Sequence, residues 1–208
     1  MKVQQNLLNV TILGVALAIC LSSWLALSWI ETGIKNETQV WLNTILKSAH
    51  EGILDHHRKK SQAVAAWSMN AQIREEVEKL VRLPQTSVGL IASSSQDTLR
   101  AWLKERFQIG EYRGYFVIGP GNINLASTRD GNIGAINLLS SQEGFLDKVW
   151  SGQALVSLPL RSDVPLKNPL GKVVKGLATM FAASPVRNDR AQVVAILALR
   201  IEPSESFS

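Results

Sequence analysis

The residues able to carry acid–base or metal chemistry are few and badly placed for it. The three histidines, His50, His56 and His57, all lie in one stretch rich in helix formers. Neighbours on a regular helix point about 100° apart, so His56 and His57 cannot grip one ion together. They belong to the basic run His56-His57-Arg58-Lys59-Lys60, which reads as a solvated helix face; proton sensing is the other chemistry the pair offers. The single cysteine, Cys20, sits inside an apolar run, so neither a disulfide nor a cysteine-based metal site is expected beyond it. No nucleophile elbow, zinc-protease motif or Walker-type loop occurs. Gly119-Pro120-Gly121 is a turn and not a phosphate cradle, because no helix follows it. The chain is therefore expected to bind rather than catalyse, without metal or cofactor. An exported enzyme would need a histidine or carboxylate pair in a pocket, and none stands out.

The elements that would position a binding site begin with the apolar run Leu7–Ile30. Its 24 residues carry no charge. As a helix they rise roughly 36 Å, enough to cross a hydrocarbon core of about 30 Å. A cleaved signal peptide is the competing reading, with Ala26-Leu27-Ser28 as a passable cleavage site. The run is longer than a secretory signal, and Trp24 and Trp29 suit an interfacial anchor. An uncleaved signal anchor is expected. Lys2 precedes the span, whereas Glu31 and Glu37 offset Lys35 after it, so residues 1–6 are expected in the cytoplasm and residues 31–208 outside or in the periplasm. Beyond the span roughly 178 of the 208 residues remain, and the net charge of +5 is scattered, which argues against a nucleic-acid footprint.

From Lys35 to Arg82 there is no proline and one glycine, Gly52. Leu42, Leu46, Ala49 and Ile53, then Val64, Trp67 and Ala71, then Ile73, Val77, Leu80 and Val81 hold a helical register, so one long helix is expected over residues 31–82. Leu83-Pro84 ends it. Gln85–Ser95 reads as a loop, and a second helix, capped by Ser95 or Asp97, shows Leu99, Trp102, Leu103 and Phe107 on one face. The pattern then becomes strand-like. Gly114–Ile118 and Ile123–Thr128 form a hairpin around Gly119–Asn122. Ser141–Trp150 reads as a short helix with Phe145, Leu146 and Val149 inward, and Ala154–Leu160 as a third strand. After a loop over Arg161–Gly171, Lys175–Pro185 and Gln192–Glu202 form a second hairpin. The run Val193–Ile201 is almost unbroken in apolar residues, as in a central strand buried on both faces. Tight turns make these neighbours antiparallel, and helices beside an antiparallel sheet make an α+β layer fold.

Several stretches resemble extracellular double Cache sensor modules. Trp67–Val77 is similar to their helix segment, Gly114–Asp130 to their first hairpin, and Ile133-Gly134 to the step after it. Met180–Asn188 with Val193–Pro203 resembles their closing strand pair. Order and spacing agree over residues 35–208; the aspartate usual before the hairpin turn is here Gly119. The resemblance implies a PAS-like antiparallel sheet over residues 83–203 behind the long helix. It implies a small-molecule ligand, a homodimer through that helix, and a signal sent across the membrane to an output such as a histidine kinase, cyclase or chemoreceptor tail. Residues 204–208 would then begin a further carboxy-terminal part of a longer receptor.

The resemblance also places the pocket over the sheet, between the strands and the segment joining the first hairpin to the third strand. Candidate ligand contacts are Ser127, Arg129 and Asp130 at the hairpin end, and Arg161, Ser162 and Asp163 after the third strand. Arginine presents a planar fork to a carboxylate, and aspartate can hold an ammonium group. Amino-acid-binding members carry an Arg-x-Trp-Tyr cluster in the connection, which Asn132–Trp150 lacks. The competing expectation is a membrane-tethered interaction module without a small ligand, in which these are ordinary loop residues.

Overall fold

The computed structural model describes residues 2–110, 112–162, 164–167 and 171–201, with 2–20, 25–38, 108–110 and 167 at the level of backbone alone. Helix α1 runs over Lys2–Ser68. By internal contacts the chain divides into two units, residues 1–51 and 52–208. In the first unit the described side chains of α1 include a row of exposed apolar residues, Val40, Trp41, Leu42, Ile45 and Leu46. Among the described residues no helix is long and apolar enough to cross a membrane. The expected span Leu7–Ile30 lies, Leu21–Trp24 apart, outside the described side chains.

The second unit is the folded module. The expected continuous helix through Arg82 is broken: α1 ends at Ser68 and α2 occupies Ala71–Val81. Asn70 makes the break. Its backbone is extended, and its carboxamide accepts from the Gln72 and Ile73 amides, which α2 cannot satisfy within itself. The apolar register continues across the break because both helices face the same core, so periodicity alone does not reveal it. The expected loop before the next helix holds a short helix, α3 (Ser87–Ile91), capped by Thr86. Helix α4 covers Ser94–Gly110, and the side chain meeting its first turn is Ser93, not Ser95 or Asp97.

Strands β1 (Gly114–Ile118) and β2 (Asn124–Ser127) form the expected hairpin. Short helix α5 (Phe145–Trp150) follows a one-turn 3-10 helix at Leu138–Ser141, and its Phe145, Leu146 and Val149 are buried. The expected third strand is two fragments, β3 (Leu155–Val156) and β4 (Leu160–Arg161), both paired with β7. The expected loop after it contains a minimal ladder, β5 (Leu166–Lys167) with β6 (Val173–Val174). Long strands β7 (Ala178–Arg187) and β8 (Val193–Ile201) complete an antiparallel sheet of order β2-β1-β8-β7-β3. β8 is central, as its composition predicts.

Side chains alternate across a strand, so β8 feeds two different cores. Ala195, Leu197, Leu199 and Ile201 join Val64 of α1, Ile73, Val77 and Leu80 of α2, and Leu99 and Leu103 of α4. Ile196 and Ala198 join Phe116, Phe181, Leu139 and the inward residues of α5. The next residue in that second row is Arg200. The candidate site lies at this end of the sheet.

Candidate functional site

Arg200 is only 5 % exposed although it lies in an otherwise apolar strand. Register places it between Gly114 on β1 and Phe181 on β7. A buried guanidinium needs partners. It donates from Nη1 to Ser162 Oγ at 2.7 Å, and its carbon centre lies 5.1 Å from the Phe181 ring and 6.0 Å from the Phe116 ring. Gly114 opposite it presents no side chain; a Cβ there would stand 3.0 Å from Thr128 Oγ1.

Next to Arg200 is a cavity of about 100 Å³. Its inner wall is Gly114, Phe116, Ser127 and Arg200, all buried. Its outer wall brings Arg113, Thr128 and Arg129, all exposed, together with Asn132, Val164 and Leu166. Ser127 Oγ accepts from the Arg129 amide at 3.2 Å, and Thr128 Oγ1 accepts from the Tyr115 amide at 3.0 Å. Arg129 Nη2 reaches across to the Pro165 carbonyl at 3.3 Å. The Ser162 hydroxyl donates to the Val164 carbonyl at 2.7 Å while accepting from Arg200, so the segment bearing Val164 is pinned to the sheet.

The six expected ligand contacts do not share one place. Ser127 and Arg129 line the cavity. Ser162 stands behind it and holds Arg200. Asp130 points away, into an ion pair with Arg100 of α4, which also donates from Nε to the Ser127 carbonyl at 3.1 Å. Arg161 is exposed on β4 opposite Ala178 and does not line the cavity. Asp163 lies outside the described residues. Sequence reasoning missed Arg200, Arg113 and Asn132. A signal existed for Arg200, a cation in a strand whose neighbours are all apolar. None existed for the other two, which sit in ordinary polar loops.

Behind the cavity the sheet touches the helices through Tyr115 and Tyr112. Tyr115 is buried and faces the helix core; burial pushes its phenol well up, against the pull of Arg100 nearby. Tyr112 precedes Arg113 in sequence, and its ring meets Trp67 of α1 edge-on at 5.1 Å. Trp67 in turn meets Trp102 of α4 at 5.8 Å, and Lys60 lies 5.1 Å above the Tyr112 ring.

A larger hollow, about 400 Å³, opens near the turn joining β7 and β8 and is walled by Ala65, Met69, Arg74, Pro185, Arg187 and Asp189. Arg74 there pairs with Asp189, which is 88 % exposed. Arg187 and Asp189 there are exposed and Arg74 is half-buried, unlike the buried arginine of the smaller cavity.

No family model and no curated protein matches the sequence. Among solved structures the chain is similar to the sensor domain of E. coli DcuS, at 11 % identity, 76 % of this chain, 95 % of that one and a TM-score of 0.49. It is similar to the sensor domain of the V. cholerae histidine kinase DctB, at 18 % identity over 78 % of this chain and 58 % of that one, TM-score 0.41. It is similar to the sensory domain of the Campylobacter jejuni chemoreceptor Tlp3 with isoleucine bound, at 10 % identity over 77 % and 63 %, TM-score 0.37. The latter two are longer domains, of which this chain spans under two thirds.

Proposed function

We propose that the chain is the extracytoplasmic sensing module of a membrane signal-transduction receptor, which binds a small molecule in the cavity beside Arg200 and passes the change through α1. The observation that carries this reading is the buried Arg200 beside the cavity, in a β8 row whose preceding members, Ile196 and Ala198, are apolar. Purely structural packing would favour an aliphatic residue there, since a buried charge contributes little to stability. A ligand moving Arg113 would act on Tyr112, its chain neighbour, and so on Trp67 of α1. Ligand binding would thereby favour one of two packings of α1 against the sheet.

In this reading Leu7–Ile30 is the membrane anchor, the folded module faces the periplasm or the outside, and catalysis belongs to an output elsewhere. The exposed row Val40, Trp41, Leu42, Ile45 and Leu46 favours a helix partner, and a second copy of this chain is the simplest one. That same row supports a second reading, a tethered interaction module with no small ligand.

Thermal unfolding of the full chain in detergent, screened against small carboxylates, amines, amino acids and sugars, separates the two. A ligand of the folded state stabilises by RT ln(1 + [L]/Kd), about 2.7 kcal/mol at a hundredfold excess over Kd. A saturable shift from any class is the expected result. A cooperative transition that no class moves would leave the interaction module as the better reading.

A further inference from the structure

We infer that the sheet edge at β3 is a docking site for an extended peptide of a partner protein, one that carries an apolar side chain and, two residues along, an acidic one. This goes beyond the small-ligand reading and does not depend on the cavity beside Arg200.

The two edges of the sheet are finished differently. β2 is closed. Asn124 donates its amide to the Ala135 carbonyl and accepts from the Gly134 amide. The Leu125 and Ser127 carbonyls accept from Gln96 Nε2 at 2.8 Å and from Arg100 Nε at 3.1 Å. β3 has no such cover. The Ser157 amide donates to the Phe181 carbonyl of β7 at 2.8 Å. By alternation Leu155 and Ser157 turn their main-chain groups to β7, while Ala154 and Val156 turn theirs outward. Among the described residues nothing bonds those outward groups. Buried main-chain groups are almost always paired, so these face water. Leu158, the next outward residue, is occupied: the Gln142 side chain holds both its amide and its carbonyl. The open stretch is therefore Ala154–Val156. It can hold one short strand by main-chain bonds, and it is too short to template a wider sheet.

The side chains around that stretch set what the strand must carry. Val156 packs on the helix-side core, and Ala154, two residues before it, lies on the same face. A residue paired opposite Ala154 puts its own side chain on that face too. It meets the groove of about 400 Å³, where Ala65, Met69, Ala154 and Pro185 supply apolar wall. A leucine, methionine or phenylalanine suits this groove. The peptide side chain two residues along, toward Gly152, comes to the Arg187 guanidinium, which lies against that glycine. Arg187 donates from Nη1 to the Ala191 carbonyl and meets no carboxylate among the described residues, whereas Arg74 across the groove is already paired with Asp189. An acidic side chain there gains a charge-assisted bond. The β3 edge of a second copy fits worse, because residues 152–158 read Gly-Gln-Ala-Leu-Val-Ser-Leu and bring no carboxylate.

The test uses the full chain in detergent, with hydrogen exchange resolved to single amides. In the free chain the Ala154 and Val156 amides should exchange freely and the Ser157 amide slowly. The probes are two short, blocked, threonine-rich peptides with leucine and glutamate two residues apart, in either order, since a strand can add in either direction. One of them should slow exchange at Ala154 and Val156 saturably. The same peptide N-methylated throughout its backbone should not, and lysine in place of its glutamate should weaken binding about tenfold. Ala154→Pro removes an outward N–H that the ladder does not use, so it should melt like the parent chain and bind the peptide more weakly. Arg187→Gln should bind the glutamate and lysine forms alike. Slow exchange at both amides in the free chain at every concentration would show an edge already covered. Protection that grows with chain concentration would show a second copy seated on it. Either result overturns the proposal, as does protection by the N-methylated form or by neither peptide up to millimolar concentration. Equal binding of the glutamate and lysine forms to the parent chain would overturn the acidic preference and the role of Arg187.

Discussion

The two faces of the sheet solve different problems with the same strands. On the helix face Ala195, Leu197, Leu199 and Ile201 are sealed under α2, α4 and the end of α1, and each of these four positions of β8 is apolar. On the opposite face Ile196 and Ala198 are sealed in the same way, but the next position is Arg200. The second face gives up part of its apolar area to a cavity and a buried cation. A protein selected for stability alone would have no reason for that asymmetry, whereas a binding module needs it.

The largest expected effect that would break this comparison is on the helix face. Leu197 is fully buried between the central strand and the helices. Leu197→Ala should destabilise by about 2–5 kcal/mol, as cavity-forming substitutions do in rigid cores. Urea unfolding of the full chain in detergent would measure it. A change below about 1 kcal/mol would mean that this face is loosely packed and that the two faces do not differ as described.

A smaller effect is expected on the cavity face. Ser162→Ala removes the hydroxyl that accepts from Arg200 and ties down the Val164 carbonyl. Leaving a buried donor short of that partner should cost about 1–3 kcal/mol. The same urea titration gives the ranking. A larger loss than Leu197→Ala would place the structural centre of the module at Arg200 and remove the reason to treat that face as spared for binding.

Much of this division is legible in the amino-acid sequence. The unbroken apolar run Val193–Ile201 marks a strand covered on both sides, and the hairpins follow from turn residues at Gly119–Asn122 and Asn188-Asp189. The helix break at Asn70 is invisible to periodicity, because a cap leaves the apolar register intact. Fragments β3 and β4 read as one strand because a two-residue pairing leaves no alternation to count. At the site, Ser127 and Arg129 line the cavity, and it was the family resemblance, which sets a pocket at the hairpin end, that pointed to them. Asp130 beside them could not be told apart: its partner Arg100 comes from another element, and an ion pair between distant residues leaves no local mark. Arg200 was legible in principle, since its cost in a buried strand demands an explanation. Arg113 and Asn132 acquire their place only from the way the sheet end and the turn meet.

The smallest effect sharpens the comparison from the helix side, where a carboxylate is nearly covered. Glu76 on α2 is 8 % exposed and accepts from Lys79 Nζ at 2.8 Å. Burial by itself would raise its carboxyl above the ordinary value of 4.5, but the bonds from Lys79 and Ser95 outweigh that and hold it below. A carboxyl depressed in the folded state stabilises fully above its unfolded value and loses that contribution as pH falls through the folded one. The parent chain should therefore exceed Glu76→Gln in stability near pH 6, and the gap should close as pH drops below about 4.5. The gap should be small, because Lys79 is half in water and such pairs sit at the low end of ion-pair strength. Paired urea titrations at about pH 6 and about pH 3.5, on either side of the ordinary carboxyl range, would measure it. A gap that widened in acid would show that burial outweighs the two hydrogen bonds. The helix face would then carry a strained charge of its own, and Arg200 would no longer distinguish the two sides of the sheet.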